Sequence, residues 1–271
     1  MRTVSDAEVV HFRTRGWARL DALIPPGQAA AALLRAQELM VPERAAASVE
    51  HRAATRLTGE QGLTARDNPW WRDLHDVARR DPLFHAIAFH TAMAANVRRL
   101  QGIDAGVRLN IDLLTCKRAR AQGPGNGPTP FHRDYPAFPF DCPLNLVFVI
   151  ALDDIAPEQG AMRFCGGSHL DVQVDAVGAG TSGIEIDPAL LQRFPMSEPL
   201  AYRPGDATVH AGLTIHGGPA NTTGRHRWSY HVALFSDAIR YTGAPSPRFD
   251  GLGLEPGGRI DHPHFPLLPG S

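Results

Sequence analysis

Cysteine is scarce in this chain. Only Cys116, Cys142 and Cys165 occur among 271 residues, too few and too scattered for a disulfide framework or a structural zinc site. Charge of either sign is not in excess: the formal net charge is −1, which leaves no electrostatic footprint for nucleic acid or an anionic membrane. No apolar run approaches the roughly 20 residues needed to span a bilayer. Met1–Glu8 lacks the apolar segment of a signal peptide. Internal repeats and a second composition regime are also missing. The expectation is one soluble, cytoplasmic domain covering 1–271, with no nucleic-acid or membrane partner and no signal of oligomeric state. What is present is ordinary for a globular core, 43% hydrophobic and 20% charged residues. Histidine, at 13, is high for this length and raises the prospect of metal or acid–base chemistry.

Helical signals come first. Ser5-Asp-Ala-Glu8 is a capping-box pattern, followed by Val9, Val10 and Phe12 at helical spacing and closed by Gly16. Trp17–Leu20 reads as a short strand. Pro25-Pro26 opens an alanine-rich helix through Gln28–Met40. Residues 42–81 have no sustained period, and Asn68–Arg72 reads as a packed aromatic corner. Asp81-Pro82 starts a helix over Leu83–Leu100 that Gly102 ends. The texture then changes to strands: Val107–Cys116, Leu144–Leu152, Gly160–Cys165, Ala207–Ile215 and Trp228–Phe235. A Gly/Pro loop, 121–128, and a long insertion, 170–198, separate them. Helices over about 5–101, short strands over about 106–236 and an irregular Pro/Gly tail, 237–271, fit a mainly β fold with flanking helices.

Thr129–Asp134 carries the chemistry. His132 and Asp134 are two apart, and period-two alternation in a strand puts both on one face. An imidazole and a carboxylate together are two-thirds of a 2-His-1-carboxylate triad, which holds Fe(II) and leaves other positions open. The second histidine is His216, at the end of Thr208–His216 and before Gly217-Gly218. The same alternation puts Thr208, His210, Thr214 and His216 on one face, and Arg227, Ser229 and His231 on one face of the last strand. An inward arginine requires an anion, because burying it unpaired is costly. A dicarboxylate supplies one that guanidinium binds in a planar fork. Arg225 competes with Arg227 for that role. Lys117 and Asn145 are weaker candidates, and His210 and His231 read equally well as core histidines.

His132-Arg-Asp134, Gly160–His169, Arg203-Pro-Gly-Asp206 and His216–Asn221 with Arg227, in that order, resemble the phytanoyl-CoA dioxygenase family of Fe(II)/2-oxoglutarate oxygenases. The resemblance spans about Ser5 to Phe235 and weakens in 42–81, 170–198 and the tail. It implies a double-stranded β-helix, a jelly roll of cupin type, buttressed by the N-terminal helices. It also implies iron held by His132, Asp134 and His216, and Arg227 on the distal carboxylate of 2-oxoglutarate. With molecular oxygen, such an enzyme oxidises a C–H bond and releases succinate and CO2. Family halogenases lack the carboxylate that Asp134 supplies, so hydroxylation, desaturation, ring closure or epimerisation is expected instead. One departure is Gly218, where some relatives have a hydroxyl; Thr214 or Ser229 is a substitute. The expected substrate is a small, largely apolar molecule of bacterial specialised metabolism, lined by aromatic residues in 68–71 and 135–140. The alternatives are a cupin-like metal-dependent isomerase or hydrolase, and a non-catalytic small-molecule-binding barrel.

Overall fold

Ser5 starts the first helix by the reciprocal contacts its sequence predicts. Its hydroxyl accepts from the Glu8 amide at 3.3 Å, and the Glu8 carboxylate accepts from the Ser5 amide at 2.7 Å. This helix, α1, spans Asp6–Arg15 and ends at Gly16, whose φ of 80° is the left-handed cap that glycine adopts at least cost. The computed structural model describes residues 1–40, 66–67, 71–120, 125–172 and 186–271. Most of the aperiodic stretch 42–81, Asn68–Trp70 of the aromatic corner, part of the Gly/Pro loop and the middle of the long insertion lie outside the described residues. Among the described residues no helix is long and apolar enough to cross a membrane.

Strand β1 (Trp17–Leu20) leads into α2 (Pro26–Met40), which buries Ala29, Ala32, Ala36 and Met40 at helical spacing. The helix expected over Leu83–Leu100 is two helices, α3 (Pro82–Ala88) and α4 (Thr91–Gln101). His90 is extended between them, and its imidazole Nδ1 accepts from the Ala92 amide at 3.1 Å, capping α4. A histidine side chain thus does what Ser or Asp does at most helix starts.

The strands are β2 (Arg66–Asp67), β3 (Arg72–His75), β4 (Val107–Lys117), β5 (Thr129–His132), β6 (Asn145–Ala151), β7 (Arg163–Phe164), β8 (Ala207–Ala211), β9 (His216–Gly218) and β10 (Arg227–Ser236). They form an antiparallel sheet in the order β1-β8-β6-β10-β4-β3-β2 and a second one, β5-β9-β7. Two antiparallel sheets facing each other, with helices outside the larger, are the jelly roll expected. Alternation sorts the large sheet. Trp228, Tyr230, Val232 and Leu234 of β10 join Phe148, Ile150 and Val209 in the core under the helices. Each fully buried apolar side chain of this size contributes about 1.5–3 kcal/mol. Arg227, Ser229, His231 and Ala233 alternate onto the inner face.

One expectation fails here. Ala207–Ile215 is not one strand: β8 stops at Ala211 and the chain turns at Gly212–Ile215 to enter the other sheet as β9. The tail, 237–271, forms no helix or strand and yet packs closely. Its Ile239, Tyr241, Phe249, Ile260 and Phe265 form one cluster with Tyr135, Phe140, Leu213 and Phe235. Phe249 stacks on Phe265 at 4.5 Å between centroids, and the Phe265–Leu268 segment hydrogen-bonds along β4. This cluster takes in Tyr135 and Phe140, with Phe138 packed against it. Trp71 is half-buried and donates to Asp73 at 3.1 Å, as a packed corner would.

Candidate metal centre and anion pocket

The pairing of β5 with β9 sets His132 directly opposite His216. Each ring is turned by its own backbone. His132 Nδ1 lies 2.8 Å from the Pro130 carbonyl and His216 Nδ1 lies 3.0 Å from the Thr214 carbonyl. A carbonyl only accepts, so both rings carry their proton on Nδ1 and present the Nε2 lone pair. Both Nε2 atoms face Asp134 Oδ1, at 3.4 Å and 3.7 Å. The three ligand atoms lie within 4.8 Å of one another, the spacing of groups around one metal ion.

Asp134 reaches this position by a different route from the one alternation suggests. β5 ends at His132, and Asp134 has helical angles (φ −79°, ψ −35°) at the start of a short 3-10 turn, Tyr135–Ala137. The turn is held by Tyr135 donating to the Phe140 carbonyl at 2.9 Å. Burial pushes the Asp134 carboxyl up, but His216, His132 and His210 outweigh it and hold it well below the carboxylate range. Burial and the neighbouring His210 push His216 well below its ordinary value. Burial pushes His132 down, but its contact with the Asp134 carboxylate outweighs this and raises it. The two carbonyl contacts at Nδ1 leave each Nε2 lone pair aimed at the Asp134 carboxylate, the donor form that a metal ligand needs.

Arg227 and Lys117 are register partners across β10 and β4, and both are buried, at 5% and 0% exposure. Arg227 Nη1 donates to the Gly160 carbonyl, while its Nε has no partner. Lys117 Nζ donates to the Pro219 carbonyl at 2.8 Å and Thr129 Oγ1 at 3.3 Å. Burial and then Arg227 push the Lys117 amine down to about 6, and burial pushes Arg227 down to about 10. No carboxylate pairs with either cation among the described residues. Beside Arg227 is a small cavity walled by Val149, Ile155, Met162, Tyr202 and Ser229. Charging both groups without an anion is costly, and a dianion beside them would offset that cost.

The other candidates sort clearly. Arg225 is exposed and pairs with Asp153 at 3.4 Å, away from the cavity. Ser229 lines the cavity, whereas Thr214 donates to the Gly16 carbonyl at 2.6 Å and is spent there. Gly218 is explained by space: a Cβ would lie 3.1 Å from the Ala161 carbonyl oxygen and 3.2 Å from that of Gly160. Ser168 braces its own turn, donating to the Cys165 carbonyl at 2.7 Å. His231 is held by Ser229 Oγ at 3.0 Å, and burial pushes it down to about 3. Asn145 is buried on the inner face of β6. Tyr202 was not legible as a wall of the cavity, since it stands outside any strand run.

The same fold occurs in solved structures. The chain superposes on the epimerase SnoN in complex with Fe3+, alpha ketoglutarate and nogalamycin RO with a TM-score of 0.75 and 22% identity, over 97% of each chain. It superposes on the carbocyclase SnoK from nogalamycin biosynthesis with a TM-score of 0.73 and 21% identity, over 98% of this chain and 96% of that one. These likenesses define the architecture as that of non-haem iron jelly rolls. The sequence model of phytanoyl-CoA dioxygenase matches residues 12–229, and the chain belongs to that family of Fe(II)/2-oxoglutarate-dependent enzymes. Its cofactors are accordingly Fe(II), 2-oxoglutarate and molecular oxygen. Dioxygenase aneA of Aspergillus aculeatus is 33% identical over 106 residues, 36% of this chain and 32% of that protein, so the match spans about a third of its relative.

Proposed function

We propose that the chain is an oxygenase that oxidises an unactivated C–H bond of a small, largely apolar molecule, with His132, Asp134 and His216 as iron ligands. Arg227 binds the distal carboxylate of 2-oxoglutarate, and Lys117 adds a second charge beside it. The observation that carries this reading is the buried Arg227 guanidinium, without a carboxylate partner among the described residues, beside a small cavity and opposite the buried Lys117 amine. A cupin-like isomerase or hydrolase has no use for such a pair. The donor set, two imidazole nitrogens and one carboxylate oxygen, fits Fe(II). When bound, iron with 2-oxoglutarate and oxygen supplies the oxidising power, releasing succinate and CO2.

The protein's own work is to orient and exclude. The backbone carbonyls of Pro130 and Thr214 fix the two imidazoles, and the buried cations align the cosubstrate. Val147, Val149, Ala233, Ile111 and Met162 form an apolar inner wall that keeps water away and suits an apolar substrate. Asp134 keeps its carboxylate, which favours hydroxylation, desaturation, epimerisation or ring closure over halogenation. Epimerisation and ring closure are also the activities named for the two nogalamycin enzymes, and specialised metabolism is the matching context.

The test is an anaerobic titration of Fe(II)-loaded protein with 2-oxoglutarate, following the visible metal-to-ligand charge-transfer band. The wild type develops the band. Arg227→Ala needs far more cosubstrate, by about 30-fold or more for a buried charge pair cut in two. A folded, iron-loaded wild type that develops no band overturns the reading.

A further inference from the structure

The two oxygens of Asp134 keep different company. Oδ1 faces His132 and His216, toward the point where the ligand atoms converge. Oδ2 is turned the other way and lies 3.0 Å from His210 Nε2. His210 sits on the inner face of β8, 1% exposed, paired with Trp17 of β1 and Val147 of β6. Its ring centroid is 4.1 Å from that of His216 and 5.6 Å from that of Phe164.

An ordinary core histidine satisfies both ring nitrogens. His210 satisfies only the one that meets Asp134, and its Nδ1 is buried without a partner. With the proton on Nε2, the ring donates to Oδ2 and strands only a lone pair. A proton on Nδ1 would instead leave an unpaired N–H and turn a lone pair onto a carboxylate, a cost of about 1–3 kcal/mol for the orphaned donor alone. The structure therefore selects one tautomer and one direction of hydrogen bonding. Asp134 opens a 3-10 turn without making a side-chain cap bond, so the surrounding histidines are what orient its carboxylate.

We propose that His210 is a positioning residue of the metal centre. By donating Nε2–H to Oδ2 it fixes the rotation of the Asp134 carboxylate, so that Oδ1 alone is offered to the metal. A carboxylate that gives one oxygen takes one coordination position and leaves the remaining ones open. Held by an outer partner, it also binds better than a freely rotating one. The inference rests on the reading of His132, Asp134 and His216 as ligands.

Anaerobic titration with Co(II), read by its visible d–d spectrum, separates the two. The full-length variants are His210→Gln, which keeps a donor at similar reach, His210→Phe, which keeps a ring and removes the donor, and Asp134→Ala. The expected result is that His210→Gln binds within about threefold of wild type with the same spectrum, while His210→Phe binds about 10–100-fold more weakly with a changed spectrum. Should His210→Phe not fold, His210→Ala with imidazole added to the solution replaces it, and imidazole is expected to restore the wild-type spectrum. A folded His210→Phe with wild-type affinity and spectrum overturns the proposal. So does an equal loss in His210→Gln and His210→Phe, which marks packing alone, or a His210→Ala spectrum that imidazole leaves unchanged. If Asp134→Ala binds Co(II) as the wild type does, the ligand assignment fails and His210's role falls with it.

Discussion

Lys117 is expected to link cosubstrate binding to proton uptake. Its amine ordinarily titrates near 10.5, and burial beside Arg227 lowers it to about 6. The difference amounts to about 6 kcal/mol against holding the charge in the empty pocket, at 1.36 kcal/mol per unit. At pH 7.5 the amine is therefore neutral before 2-oxoglutarate enters. Arg227, at about 10, is already charged. A dicarboxylate stabilises the ammonium form, so each binding event takes up about one proton, and apparent affinity falls by about tenfold per unit as pH rises above 6. Calorimetry of Mn(II)-loaded protein in phosphate and in Tris at pH 7.5 reads the uptake directly, because the buffers release protons with different heats. Binding heats independent of buffer refute the coupling. Lys117→Met is expected to abolish uptake and to weaken binding most at pH 6. The sign for stability is opposite. Between pH 6 and 10.5 the unfolded lysine holds a proton that the folded one has lost, so wild-type stability rises with pH in this window. The metal-free variant is then more stable at pH 7.5 by up to about 4 kcal/mol.

Asp112 is a second titrating group, on the outer face of β4. Burial pushes its carboxyl up to about 6, although Ala78 N–H and the Tyr230 hydroxyl both donate to Oδ2. A raised carboxyl favours the folded state only while it is protonated, so the ionised form costs up to about 3 kcal/mol above pH 6. Asp112→Asn should raise the melting temperature at pH 7.5, with the gain fading as pH falls from 6 towards 4. A variant less stable at both ends contradicts this. Gly218→Ala forces a methyl against the Gly160 and Ala161 carbonyls and should cost about 1–3 kcal/mol in chemical denaturation; a neutral change would show that those carbonyls give way.

How much was legible depended on whether a residue's role was local. Ser5 with Glu8, and Gly16, are signals within a few residues, and α1 begins and ends where they say. His132, Asp134 and His216 were singled out by spacing and family order, but the path by which they meet differed. Asp134 is not on a strand and His216 belongs to a different strand from His210; the turn at Gly212–Ile215 carries the chain between sheets without changing which residues meet. The break at His90 was hidden because imidazole is an unusual cap. Lys117 looked like the polar end of a strand, since its cost appears only once Arg227 is seen opposite. His210 stayed ambiguous because its partner is 76 positions away in the chain. The tail carries its signal in scattered aromatics with no period, which only three-dimensional packing collects.

The division of labour between the two sheets has a metric consequence. On the proposed assignment the histidines at one end of the cosubstrate are cross-strand partners in β5 and β9, while the cations at its other end are cross-strand partners in β4 and β10. The distance between the ends is thus set by the stacking of one sheet on the other and not by any loop. On that assignment the barrel would act as a caliper for diacids, and a substitution that thickens the layer between the sheets would change which length of carbon chain it accepts.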